Sequence, residues 1–161
     1  MQKLNRLIAT SLLALAAGIA HASPKAVPKA LQSFTEGERD VYCGAVLDQQ
    51  TVDVLLGMKA KGVTSNRFKL GFGFYIFNVM WMRKALQTGM PQASIQQIEK
   101  GVNSGLYTSN KSELGYCAAI GETYLQLPKP QQAEMAQGAL KGYLALAKMA
   151  GVSIPASVLV Q

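Results

Sequence analysis

Leu70-Gly-Phe-Gly-Phe-Tyr-Ile-Phe-Asn-Val-Met-Trp-Met82 is apolar on every face of a helix except at Asn78, and its reading decides the fold. A half-buried strand would alternate apolar and polar residues; this run does not, and the spacing on both sides of it is helical. Thirteen residues are too few to span a bilayer, and Lys69, Arg83 and Lys84 flank them as they would a buried segment. A helix that is hydrophobic all round belongs at the centre of a bundle. Two competing readings use the same residues: a membrane-inserting hairpin, and an apolar ligand pocket lined by Phe72, Phe74, Phe77 and Trp81.

This central helix (about 66-88) begins after Thr64-Ser65, with Gly89 and Pro91 ending it. On its N-terminal side, Thr35 and Glu38 have capping-box spacing, and Glu36, Glu38 and Asp40 gather at the positive end of a helix dipole. With Lys59 and Lys61 at the negative end before Gly62, these residues predict a first helix from about Glu36 to Lys61. On the C-terminal side, a third helix spans about Gln92 to Val102. A fourth runs from Lys111 to Leu125, capped by Asn110 with Glu113 at the third helical position. A fifth covers Gln131 to Ala150, with Pro130 in its first turn. A helical turn is read at Lys29 to Ser33, and the apolar tail, 151-161, is read as irregular because of Pro155 and packed against the body.

The only two cysteines, Cys43 and Cys117, occupy equivalent places in Tyr42-Cys-Gly-Ala-Val-Leu-Asp48 and Tyr116-Cys-Ala-Ala-Ile-Gly-Glu122. Similarity over seven residues fits internal duplication and convergent packing equally well. Either way the cysteines are expected to face one another as a disulfide between the first and fourth helices, with Gly44 and Ala118 permitting a close approach. A redox-active role is disfavoured, because there is no Cys-x-x-Cys and each thiol lies in an apolar stretch that raises its pKa.

At the N-terminus, Lys3 and Arg6 precede an apolar stretch from Leu7 to Ala20, and Ala20-His21-Ala22 fits a signal-peptidase site. The expected leader is therefore 1-22, leaving a single all-α domain over 23-161 whose N-terminal segment is 23-34. Cleavage removes His21, the only histidine, and with it any imidazole for a Ser-His or Cys-His dyad or a usual zinc site. It also takes Lys plus Arg from 16 to 14 against nine acids, a net charge of +5. The cations are scattered without a run, which disfavours nucleic acid as a partner.

Asp48 and Glu122 are the sharpest catalytic candidates, since each lies five residues after its cysteine. Five residues is about 140° of rotation on a helix, which points both acids away from the bridge. Asp48, among Val41, Ala45, Val52 and Leu56, is the candidate buried acid, whereas Glu122 falls at a polar edge. Gly71-Phe-Gly73 lacks the third glycine and the preceding strand of a phosphate loop. Asn110-Lys-Ser112 is a glycosylation sequon only in a eukaryotic source, and the compact leader has a bacterial form.

The sequence thus specifies an all-α, single-domain bundle of about five helices around the apolar helix, with one interhelical disulfide and a cleaved signal peptide. The expected location is the periplasm in a Gram-negative source and the exterior otherwise. The expected activity is binding rather than catalysis, without a cofactor or metal, and with another envelope protein as partner in the manner of an inhibitor or immunity protein. A carrier of an apolar ligand and a carboxylate-dependent cell-wall hydrolase are the alternatives. No membrane span is expected in the mature chain.

Overall fold

The computed structural model describes residues 26–107 and 110–159. The leader expected at 1-22, with His21 and the cleavage site, lies outside the described residues. All regular structure among those residues is helical, and no helix there is long and apolar enough to cross a membrane.

A 3-10 turn at Lys29–Leu31 leads into α1 (Glu36–Lys61), followed by α2 (Ser65–Gln87) and α3 (Gln92–Asn103). The capping box at the start of α1 forms as expected: Glu38 N–H donates to Thr35 Oγ1 at 3.3 Å, and Thr35 N–H donates to Glu38 Oε2 at 2.7 Å. Gly62, at a positive φ of 83° that favours glycine, ends α1. The α1–α2 hairpin is then closed by Arg67, whose Nη1 donates to the Lys61 and Gly62 carbonyls at 3.0 and 2.9 Å. Those carbonyls have no partner within α1, so a cation at the start of α2 satisfies the end of α1.

The expected fourth helix is two. α4 (Lys111–Ala118) and α5 (Ile120–Gln126) meet at Ala119, where Glu122 N–H donates to the Ala119 carbonyl at 3.0 Å in an i→i+3 bond. The chain tightens there without Pro or a left-handed residue, so no breaker in the sequence marks the junction. α6 (Lys129–Met149) starts two residues earlier than expected, because Pro130 is tolerated at the second helical position, where its missing N–H is unneeded. Six helices of at least seven residues result, against about five expected. The tail packs on the core through Val152, Ile154, Val158 and Leu159, but it is not wholly irregular: a single turn, α7 (Ala156–Leu159), follows Pro155.

The centre of the bundle is a pair of helices rather than α2 alone. From Arg67 to Met82 no α2 residue is exposed, in keeping with its apolar sequence. Every residue from Asp40 to Leu47 of α1 is buried as well, and α1 and α2 share the most extensive contact in the molecule. α3 covers α1, α4 lies against both central helices, and α5 and α6 pack on α2. The α2–α6 crossing is reciprocal. Tyr143 of α6 sits over Gly71 of α2, and Tyr75 of α2 sits over Gly142 of α6. Each glycine leaves the space that the opposing ring fills, which brings the two helices together.

Cys43 and Cys117 are fully buried and form a disulfide with Cα atoms 5.0 Å apart, tying α1 to α4 across 74 residues of chain. Gly44 does not serve that approach as expected. The position of its absent Cβ faces Met82 of α2, so its small size eases the α1–α2 crossing instead. The two Tyr-Cys segments also differ in use. Tyr42 is buried beside Phe34, with ring centroids 5.9 Å apart, and donates to Glu113 Oε2 at 3.3 Å. Tyr116 is half-buried and stacks on Trp81.

Candidate functional site

A groove of about 560 Å³ opens over Trp81, between the C-terminal half of α2 and the wall made by α4, α5 and the start of α6. Met80 and Trp81 form its floor. Tyr116, Ala119, Ile120, Leu127 and Met135 complete its apolar lining. Arg83, Lys84, Gln87 and Thr123 supply its polar groups, so two cations and no carboxylate line it.

Trp81 is held from three directions. Its indole N–H donates to the Cys117 carbonyl at 2.7 Å, a bond to the residue that carries the disulfide. Its ring stacks on Tyr116 with centroids 6.3 Å apart, and the Lys84 ammonium lies 5.2 Å from the ring centroid. With the indole N–H satisfied internally, what Trp81 offers the groove is apolar ring surface. The wall is fixed from below as well. Gln132 Nε2 donates to the Leu125 and Leu127 carbonyls at 3.0 and 2.7 Å, satisfying the C-terminal end of α5, and Tyr124 Oη donates to the Gln132 carbonyl at 3.1 Å. Burial pushes the Tyr124 hydroxyl up to about 12, so it remains a donor.

The charges at the groove are unequal. Lys84 donates to Glu36 Oε1 at 3.0 Å and to Asp40 Oδ1 at 3.2 Å. Asp40 is 1 % exposed; burial raises its pKa, and Lys84 pulls it back down. Lys84 is therefore matched by carboxylates on α1. Arg83 is exposed, and its guanidinium makes no hydrogen bond or ion pair with the described residues.

The residues singled out in the sequence separate. Phe72, Phe74 and Phe77 are buried in the core and do not line the groove; only Trp81 of that quartet does. Phe72 packs against Phe68 and Tyr143, while the Phe77 ring fills the space beside Gly121 of α5.

Asp48 is half-buried in a smaller cleft of about 340 Å³ lined also by Gly44, Ala45, Asn78, Met82, Glu99 and Asn103. Asn78 Nδ2 donates to its Oδ1 at 3.0 Å. Glu122 is exposed and is not part of that cleft, so the pair of acids required by the hydrolase reading is not assembled there. The acid that shares the cleft is Glu99 of α3, at a spacing that gave no sign of Asp48.

Burial raises the Asp48 pKa above its ordinary 3.8, so the folded state holds its proton more tightly than the unfolded chain. Its contribution to stability is then greatest below that value and is lost as pH rises through the folded-state pKa. Asp48→Asn keeps the acceptor for Asn78 and removes the ionisation. The variant is expected to melt above the wild type at pH 7, with the difference vanishing below about pH 4. Thermal melts across that range check this, and a lower melting temperature for the variant at pH 7 would overturn it.

No known protein family, curated protein or solved structure matches the chain.

Proposed function

We propose that the mature protein is an exported binding module that holds a segment of another envelope protein in the groove over Trp81. The observation that carries this reading is an apolar floor with a hydrogen-bonding edge. Gln87 and Thr123, both exposed, present an amide and a hydroxyl with no side-chain partner among the described residues. A peptide backbone has groups to pair with them while its side chains cover Met80 and Trp81, whereas a hydrocarbon chain has none. The buried disulfide is in keeping with an oxidising compartment.

A carrier of an apolar ligand is the second reading, because the groove's volume of about 560 Å³ lies within the ordinary range of small-molecule sites. Site-specific photo-crosslinking from position 123 in intact cells separates the two. A discrete protein adduct that disappears with Ile120→Glu is the expected result. Adducts of lipid only, or protein adducts indifferent to Ile120→Glu, would overturn the proposal.

A further inference from the structure

We infer that the groove selects an acidic partner segment, one that sets a carboxylate on Arg83 beside an apolar side chain packed over Trp81 and Ile120. This rests on the groove reading above and adds the chemistry of the occupant. The lining carries Arg83 and Lys84 and no carboxylate. Lys84 is already held by Glu36 and Asp40, which leaves Arg83 as the cation whose charge is unmatched. It is exposed at the rim and adjoins the Trp81 floor, and it projects from α2, a helix fixed on both sides by packing. A guanidinium there offers a carboxylate two parallel hydrogen bonds without deep desolvation of either charge. A basic segment would instead meet the unmatched Arg83, which makes the rim a filter against cationic sequences. The net charge of +5 expected for the mature chain acts in the same direction, favouring encounter with acidic surfaces at low salt.

The test is a selection of random twelve-residue peptides displayed on phage, made on oxidised mature protein, on Arg83→Glu and on two groove-blocked variants, Ile120→Glu and Thr123→Phe. Thr123 is exposed, so the second block leaves the core untouched if the first disturbs folding. Binding of each selected peptide is then followed through the fluorescence of Trp81, the only tryptophan of the chain. Peptides enriched on the wild type are expected to pair Asp or Glu with a large apolar residue, and those enriched on Arg83→Glu to carry Lys or Arg instead. Neutralising the peptide's acid should weaken binding to the wild type about two- to fivefold, the scale of a rim ion pair, and leave binding to Arg83→Gln unchanged. Selected peptides with no acid excess, or the same peptides on Arg83→Glu, would overturn the acidic inference while leaving the groove reading intact. Peptides that bind the two blocked variants as well as the wild type would overturn the groove reading itself. Sodium dodecanoate quenching Trp81 where no peptide is selected would overturn both in favour of a carrier.

Discussion

Replacing Cys43 and Cys117 together by alanine is expected to lower the free energy of unfolding by about 4 kcal/mol, from the chain-entropy cost of releasing a closed loop of this length. The bridge joins residues 74 positions apart, so it constrains nearly half of the chain in the unfolded state. A second contribution is local. α4 has eight residues, fewer than a helix needs to persist in water alone, so it depends on what it is packed against and tied to. Loss of the tie is expected to loosen the Cys117 carbonyl that accepts from Trp81, and with it the Tyr116 side of the groove. Urea unfolding of oxidised and reduced wild type and of the double variant measures the first effect. The emission maximum of Trp81 below the unfolding transition reports the second. Equal stabilities for oxidised and reduced protein would show that packing around the fully buried sulfurs, not the covalent tie, holds α1 to α4.

The disulfide was legible because a chain with only two cysteines offers one pairing. The capping boxes at Thr35 and Asn110 were legible because all their partners lie within three residues. The groove was not. It brings Trp81, Ile120 and Met135 together from three helices; the sequence offered Trp81 as a pocket residue but with three core phenylalanines of its own helix, and gave Ile120 and Met135 no sign of a shared site. The burial of Asp40 was hidden in the same way: placed in the first turns of α1, it read as a dipole acid, and only Lys84 from α2 shows why it is tolerated inside. The bounds of α1 were legible but its central place was not, because Gly44 and Ala45 dilute the apolar signal of Val41 to Leu47. Their burial on all sides follows from α2, α3 and α4 closing around them, which local periodicity does not encode.

Gly71 was read as a residue of the apolar helix that makes no phosphate loop, and its packing leads to the other large expected effect. Gly71→Ala in mid-helix should by propensity alone stabilise α2 by up to about 1 kcal/mol. The structure reverses the sign, because an added Cβ would collide with the Tyr143 hydroxyl and lie 3.0 Å from Val54 Cγ1. Tyr143 has no room to retreat: it is fully buried, with Phe68, Phe72 and Tyr75 centroids 5.6, 5.7 and 5.8 Å from its own. Overpacking in such a place costs about 1–3 kcal/mol, and we expect the variant to lose about 2 kcal/mol net of the propensity gain. The hydroxyl itself is buried without a hydrogen-bond partner among the described residues, so Tyr143→Phe removes an unsatisfied group and is expected to be neutral or stabilising by up to about 1 kcal/mol. Combined with Gly71→Ala it also removes the colliding atom, leaving the ring carbon Cζ at 3.2 Å and Val54 as the nearest neighbours. The alanine should therefore cost about 1 kcal/mol or less in the phenylalanine background, a coupling of about 1–2 kcal/mol in the double-mutant cycle. Gly138→Ala, a helical glycine with nothing within 4 Å of the added atom, is the control and should stabilise. If Gly71→Ala costs the same with and without the Tyr143 hydroxyl, the glycine is not there to admit that ring, and the reciprocal tyrosine–glycine account of the α2–α6 crossing fails.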